Sequence, residues 1–174
     1  MEFRFETDYN LETLTAMAKG LRKTVRRKRN RRTRIFAGIV LVVGLVSSAL
    51  SIASKEPLRA RNLLMLLAML CVIYASLQED RPNARAAKRR LLPGTEHAGC
   101  VFGEDGYTIK TSVTESRFSY AQIRAVAELP RYVVLVLSNN QAQAFDKESL
   151  SGGTIEEFRA FLADKTGKPV QQIK

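Results

Sequence analysis

Twenty consecutive residues without a charge, Ile35 to Ser54 (IFAGIVLVVGLVSSALSIAS), constrain this chain more than any other feature. A helix rises about 1.5 Å per residue, so the run reaches about 30 Å, the thickness of a bilayer's hydrocarbon core. No face of the run is polar, unlike a surface helix of a small soluble domain. A second run, Leu63 to Leu77 (LLMLLAMLCVIYASL), has 15 residues and on its own fits either a buried core helix or a span. Asn62 and Gln78 extend it without charge, Arg61 is long enough to snorkel, and Tyr74 sits near one end as an interfacial aromatic would. The sequence thus predicts a two-helix transmembrane hairpin. Helix 1 runs over 35–54, an external loop containing Pro57 over 55–61, and helix 2 over 62–78.

The charge distribution points the same way. Of the net +11, residues 1–18 carry −3, 19–34 carry +10, 35–80 sum to 0, 81–90 carry +5 and 91–174 carry −1. A nucleic-acid-binding domain spreads its basic residues over a folded face, whereas these bracket an apolar segment. The first block is Lys19, Arg22, Lys23, Arg26, Arg27, Lys28, Arg29, Arg31, Arg32 and Arg34. The second is Arg81, Arg85, Lys88, Arg89 and Arg90, while the loop holds only Lys55, Arg59 and Arg61, offset in part by Glu56. Basic residues resist translocation, so both termini are expected in the cytoplasm of a multi-pass protein of the bacterial inner membrane. There the two blocks would be topogenic and would meet anionic lipid headgroups. No aromatic residue lies between Leu21 and Ile35 to stack on bases, so no nucleic-acid partner is expected. A cleaved signal peptide is disfavoured by the 34-residue leader and the second apolar run.

Small residues recur at helical spacing in the runs: Gly44 with Ser48, and Ala68 with Cys71 and Ala75. They suit helix–helix contact within the hairpin or in a homodimer. Neither run contains an ionisable group, which disfavours a channel or transporter.

Ahead of the basic block, Phe3 and Phe5 alternate with charged residues, as in an edge strand over 1–8. Thr7 and Asp8 are candidate N-caps for a basic amphipathic helix over 9–34 leading into the first span. Its seam of Leu11, Leu14, Ala18, Leu21 and Val25 fits packing on the chain's own domain or a dimer contact. Beyond a basic linker over 79–94, residues 95–174 read as several antiparallel strands and one helix. The strands are His97 to Phe102, Tyr107 to Val113, Ser116 to Tyr120, one ending near Pro130, Tyr132 to Leu137 and Gln141 to Phe145. The continuous Tyr132 to Leu137 run is expected to be central, followed by a turn at Asn139-Asn140. Thr154 and Glu157 form a capping box for a helix with Ile155, Phe158, Phe161 and Leu162 inward, closed by Gly167 and Pro169.

This order, together with Phe102-Gly-Glu-Asp-Gly, the Phe118-Ser-Tyr120…Ile123 string, the Tyr132 to Leu137 strand and Phe145-Asp-Lys147 preceding Glu156-Glu-Phe158, resembles the YcxB-like family of small bacterial membrane proteins. The family tends to carry Pro-Lys where this chain has Asp146-Lys147. The resemblance implies an α+β membrane protein. Its two membrane helices would be joined to a cytoplasmic, mainly antiparallel pleckstrin-homology-like barrel capped by a C-terminal helix. It implies no reaction and no established ligand.

The residues themselves give no active site. The chain has no Gly-rich phosphate loop with Lys-Ser or Lys-Thr, no nucleophile elbow and one histidine, His97. That histidine reads as solvated, and Cys71 and Cys100 have no metal-ligand spacing and no expected disulfide. Glu104-Asp105 in a turn and Glu156-Glu157 in a first helical turn have structural explanations. Gly152-Gly153 before a helix could admit an anion, but those glutamates would repel it. The expectation is a non-enzymatic protein without cofactor or metal, presenting its domain to a protein partner or to itself. Anionic-lipid sensing is the alternative, weakened by the −1 sum of residues 91–174 and the scattering of Lys110, Arg117, Arg124 and Arg131.

Overall fold

A computed structural model describes residues 2–25, 27–53, 67–74, 80–138 and 141–173. The chain forms two compact units, one of residues 1–26 with 80–174 and one of 27–79.

The first unit is α+β. Among the described residues eight strands, β1 (Phe3–Asp8), β2 (His97–Phe102), β3 (Tyr107–Lys110), β4 (Glu115–Phe118), β5 (Ile123–Glu128), β6 (Tyr132–Leu137), β7 (Ala142–Asp146) and β8 (Val170–Gln172), make two four-stranded sheets. The first has the order β1-β2-β3-β4 and the second β7-β6-β5-β8. All pairings are antiparallel except β5 with β8. The N-terminal strand is thus an integral edge of the first sheet, with Phe3 opposite Phe102 and Phe5 opposite Cys100. Its alternate burial follows from a two-residue period that points Phe3, Phe5 and Thr7 inward. Arg4 and Ser151 exchange backbone hydrogen bonds of 2.9 Å, and Gly152 beside them has φ +91°. A Cβ at Gly152 would lie 2.0 Å from the Glu2 carbonyl, so this glycine lets the two backbones touch.

The main core is a cluster of rings, Phe3, Phe5, Phe102, Tyr107, Phe145 and Phe158, all under 3% exposed. Val133, Leu135 and Leu137 of β6 enter it, while Tyr132, Val134 and Val136 join a second cluster with Ala16, Ala125 and Ala127. Both faces of β6 are therefore covered, which accounts for its unbroken apolar sequence. Helix α1 (Leu11–Lys23) lies over the second cluster with Ala16 and Gly20 buried and Met17, Leu21 and Val25 packed alongside. Helix α4 (Ile155–Thr166) inserts Phe158 and Leu162, starts at the Thr154–Glu157 capping box and ends at Gly167 in the left-handed conformation.

Several local expectations are corrected. Neither Thr7 nor Asp8 caps α1. Thr7 is buried in β1, and Asn10 Oδ1 accepts from the backbone N–H groups of Glu12 and Thr13 at 2.8 and 2.9 Å. The helix also does not run on to Arg34: it stops at Lys23, and a separate α2 (Arg27–Ala53) begins beyond turn residues Thr24 and Val25. The third strand ends at Lys110 because Thr111 folds back onto Thr114, bonding its backbone oxygen at 2.8 Å. Tyr120 belongs to a 3₁₀ turn, donating its hydroxyl to the Gly103 and Gly106 carbonyls.

The largest correction concerns the membrane. Among the described residues no helix is long and apolar enough to cross a bilayer, which overturns both the transmembrane hairpin and the multi-pass inner-membrane location. The first turns of α2 carry Arg27, Lys28, Arg29, Arg31, Arg32 and Arg34. Its apolar part runs from Ile35 to the helix's end at Ala53. Of the second apolar run, residues 67–74 are described and are helical. The expected loop at 55–61 and turn at Asn139-Asn140 lie outside the described residues.

Candidate functional site

Helix α3 (Asp80–Lys88) lies beside α1, held by Arg22. The Arg22 guanidinium donates from Nε to Asp80 Oδ1 at 2.7 Å and from its second nitrogen to Oδ2 at 2.5 Å. Both side chains are about 15% exposed, so the forked pair is partly shielded from water. Arg22 is in the last turn of α1 and Asp80 in the first of α3, where each charge also complements its helix dipole. Ala84, 1% exposed, is the buried residue of α3.

Between these helices and the β5–β6 turn runs a groove of about 660 Å³, lined by Leu11, Glu12, Thr15, Ala16 and Lys19, by Arg81 and Arg85, and by Leu129 to Tyr132. The turn is a tight one, closed by the Leu129 N–H donating to the Tyr132 carbonyl at 2.8 Å. Inside the groove wall, the Tyr132 hydroxyl accepts from Thr13 Oγ1 at 3.4 Å. Arg131 is committed to its own domain: it donates to Asp146 Oδ2 at 2.7 and 2.9 Å and stands 3.5 Å from Glu12 and 3.4 Å from Glu148. The Asp146 hydrogen bond is the main reason its guanidinium is held above its ordinary pKa. By contrast, Lys19, Arg81 and Arg85 have no carboxylate partner among the described residues. Lys19 is half-buried and the two arginines are exposed. The groove therefore combines an apolar floor with three cations that no carboxylate among the described residues neutralises.

The turn is braced by an acid that sequence reasoning passed over. Glu128, last in β5 and 5% exposed, accepts from Arg159 Nε at 2.8 Å and Nη2 at 3.0 Å. It also accepts from Lys147 Nζ at 3.2 Å and Gln172 Nε2 at 2.7 Å. The Arg159 hydrogen bond, then those of Gln172 and Lys147, outweigh burial and hold its carboxyl down at about 2. The Lys147 N–H donates to the Arg131 carbonyl at 2.9 Å, so α4, β8 and the segment after β7 converge on the ends of β5 and β6. A lone Glu between Ala127 and Leu129 was the available signal: an acid inside an apolar strand calls for a buried partner.

The sequence-derived residues fall into different environments. Lys19, Arg81 and Arg85 meet at the groove and Arg22 is used up by Asp80, while Lys23 and Lys88 end their helices and Arg89 and Arg90 are exposed. Arg31 and Arg32 are exposed on α2; Arg26 lies outside the described residues, as do the side chains of Arg27, Lys28, Arg29 and Arg34. Within the second unit Gly44 is a contact point, since a Cβ there would lie 2.5 Å from Met69 Cε. Ala68 and Cys71, however, are exposed, Ser48 is half-buried, and Ala75 lies outside the described residues. Among the described residues the side chain facing Gly44 is Met69.

His97 is exposed, with Nδ1 2.7 Å from Asp8 Oδ1, a partner from β1 that its sequence neighbours did not disclose. Glu104 accepts from Lys165 Nζ at 2.9 Å, which lowers its pKa, and Glu157 serves the capping box. Cys100 is buried and its thiol is raised by that burial; Tyr9, half-buried against the same core, is pushed up to about 12, chiefly by desolvation. No group of three metal-ligating side chains occurs among the described residues. Residues 102–162, from the end of β2 to the buried Leu162 of α4, match the family model described as YcxB-like protein. None of the curated proteins matches the chain.

Proposed function

We propose that this member of the YcxB-like protein family is a non-catalytic interaction module that presents its two-sheet, pleckstrin-homology-like domain to a protein partner or to itself. The observation that carries the reading is the groove between α1, α3 and the β5–β6 turn, where Leu129, Pro130 and Tyr132 lie next to the uncommitted Lys19, Arg81 and Arg85. Concave apolar surface beside unsatisfied charge is the composition of a binding site. The other conspicuous titratable groups are consumed structurally: Glu128 by Arg159, Asp80 by Arg22, Glu104 by Lys165 and Asp146 by Arg131. None of these couples a nucleophile to a base, which favours binding over catalysis.

Chemical crosslinking of the tagged full-length protein in its native cells, followed by purification and by sedimentation of the purified chain, tests the reading. A reproducible crosslink to one protein, or concentration-dependent self-association, is expected. A chain that stays monomeric and uncrosslinked while turning over a small molecule would overturn it. Binding confined to anionic vesicles would instead favour a lipid headgroup as the ligand.

A further inference from the structure

We propose that the α1–α3 groove takes an acidic peptide segment of a partner protein, with two carboxylates about 6 Å apart flanking one bulky apolar side chain. The inference rests on the interaction reading above and specifies its ligand. Arg81 and Arg85 are four residues apart on α3, so they project from one helix face at about 6 Å spacing. Alternate residues of an extended peptide are separated by nearly the same distance, since each step advances about 3.3 Å and side chains alternate. Lys19 adds a third cation from α1. Glu12 is the acidic residue of the lining, and it faces Arg131 at 3.5 Å. With Arg131 taken by Asp146 and Glu148, Lys19, Arg81 and Arg85 against Glu12 leave a surplus of +2.

Below the cations, Leu11, Ala16, Leu129, Pro130 and Tyr132 form the floor. Leu11 is 37% exposed, so it has apolar surface to lose to a ligand. A volume of about 660 Å³ accommodates one aromatic or aliphatic anchor with its neighbouring backbone. Glu12 and Thr15 interrupt the apolar surface along α1. Thr15 Oγ1 already donates to the Leu11 carbonyl at 2.6 Å, but the Glu12 carboxylate has further lone pairs. A peptide backbone offers N–H donors to them, whereas an acyl chain would strip their water without replacing it.

Fluorescence anisotropy with the full-length protein tests this, using a labelled nonapeptide with Glu-Phe-Glu between Gly-Ser flanks. Its Lys-Phe-Lys and Glu-Gly-Glu counterparts serve as controls. Saturable binding of the first peptide is expected, weakening with added salt and at least about tenfold weaker for either control. Arg81→Glu and Arg85→Glu should each weaken it about tenfold with an unchanged melting temperature, because both side chains are exposed. Unchanged affinity in the charge-reversed variants overturns the assignment, as does preferential binding of phosphatidylglycerol vesicles that the same substitutions abolish. If the peptide fails while a crosslinked partner persists through both substitutions, the groove assignment falls and the interaction reading stands. If neither partner nor self-association survives scrutiny, both fall.

Discussion

Replacing Glu128 by Gln keeps the shape of the side chain and removes only its charge, which makes it a direct probe of the network that braces the β5–β6 turn. In the folded chain the carboxylate receives two hydrogen bonds from Arg159 and one each from Lys147 and Gln172. Its pKa falls from 4.5 to about 2. At 1.36 kcal/mol per pKa step, ionised Glu128 favours the folded state by about 3 kcal/mol at neutral pH. The glutamine cannot recover this, because its amide N–H₂, in place of either oxygen, would confront an Arg159 donor together with that of Lys147 or Gln172. The sign of the pH dependence is set by a depressed acid: the contribution is complete above the unfolded pKa of about 4.5 and drains away as pH falls toward about 2. Denaturant unfolding of both proteins should therefore show a gap of about 3 kcal/mol at pH 7, shrinking to about 1.5 kcal/mol at pH 3. A gap equally wide at pH 3 and pH 7 would mean that the variant fails through packing. One below about 1 kcal/mol at pH 7 would mean that the ionic network adds little beyond solvation.

Phe5→Ala should cost about 3–5 kcal/mol in chemical denaturation, because the ring is 1% exposed and touches Phe102, Phe145 and Phe158. Gly20→Ala tests two opposing terms: helix propensity favours alanine by about 1 kcal/mol, but its Cβ would lie 2.7 Å from Val134 Cγ1. Net destabilisation of about 1–2 kcal/mol is expected, relieved in the Gly20→Ala/Val134→Ala double variant; a stabilised single variant would refute the close approach. Thiol titration should show Cys71, exposed, reacting promptly and Cys100, 3% exposed, reacting at least about 100-fold more slowly until denaturant is added.

The strands of the first unit were legible where burial is one-sided or total. Phe3 and Phe5 announce a two-residue period, and Tyr132 to Leu137 announces a strand covered on both faces. The Thr154–Glu157 box and Gly167 mark both ends of α4 because capping is a local hydrogen-bonding problem, solved within a few residues. What escaped was non-local. Strand β8, three residues after Pro169 with two glutamines, has no pattern of its own and exists because β5 offers it a parallel edge. Arg22 and Asp80 are 58 positions apart, so assigning Arg22 to a topogenic block followed from counting charges without knowing their partners. The groove was invisible for the same reason, since its three lining segments meet only after folding. The apolar run misled in another way. Ile35, Phe36, Ile39 and Val42 are each more than half exposed, yet among the described residues no helix is long and apolar enough to cross a membrane.

The discontinuity of the first unit has a consequence for how its site is built. A chain cut before Asp80 would keep seven of the eight strands, yet it would lose β1 and α1 together. Losing β1 uncovers Phe102 and Cys100, which it flanks in register, and removes two rings from the aromatic core. Losing α1 exposes Val134, Val136 and Ala144 on the outer face of the second sheet, and takes away one wall of the groove. The matched segment, residues 102–162, therefore supplies the β5–β6 turn and Glu128 but only part of the binding surface. The remaining cations come from helices that flank the second unit, Lys19 on its N-terminal side and Arg81 and Arg85 on its C-terminal side. Specificity in the proposed site would thus depend on chain outside the segment that matches the family model. Two proteins sharing that segment could retain the fold and differ in what the groove accepts.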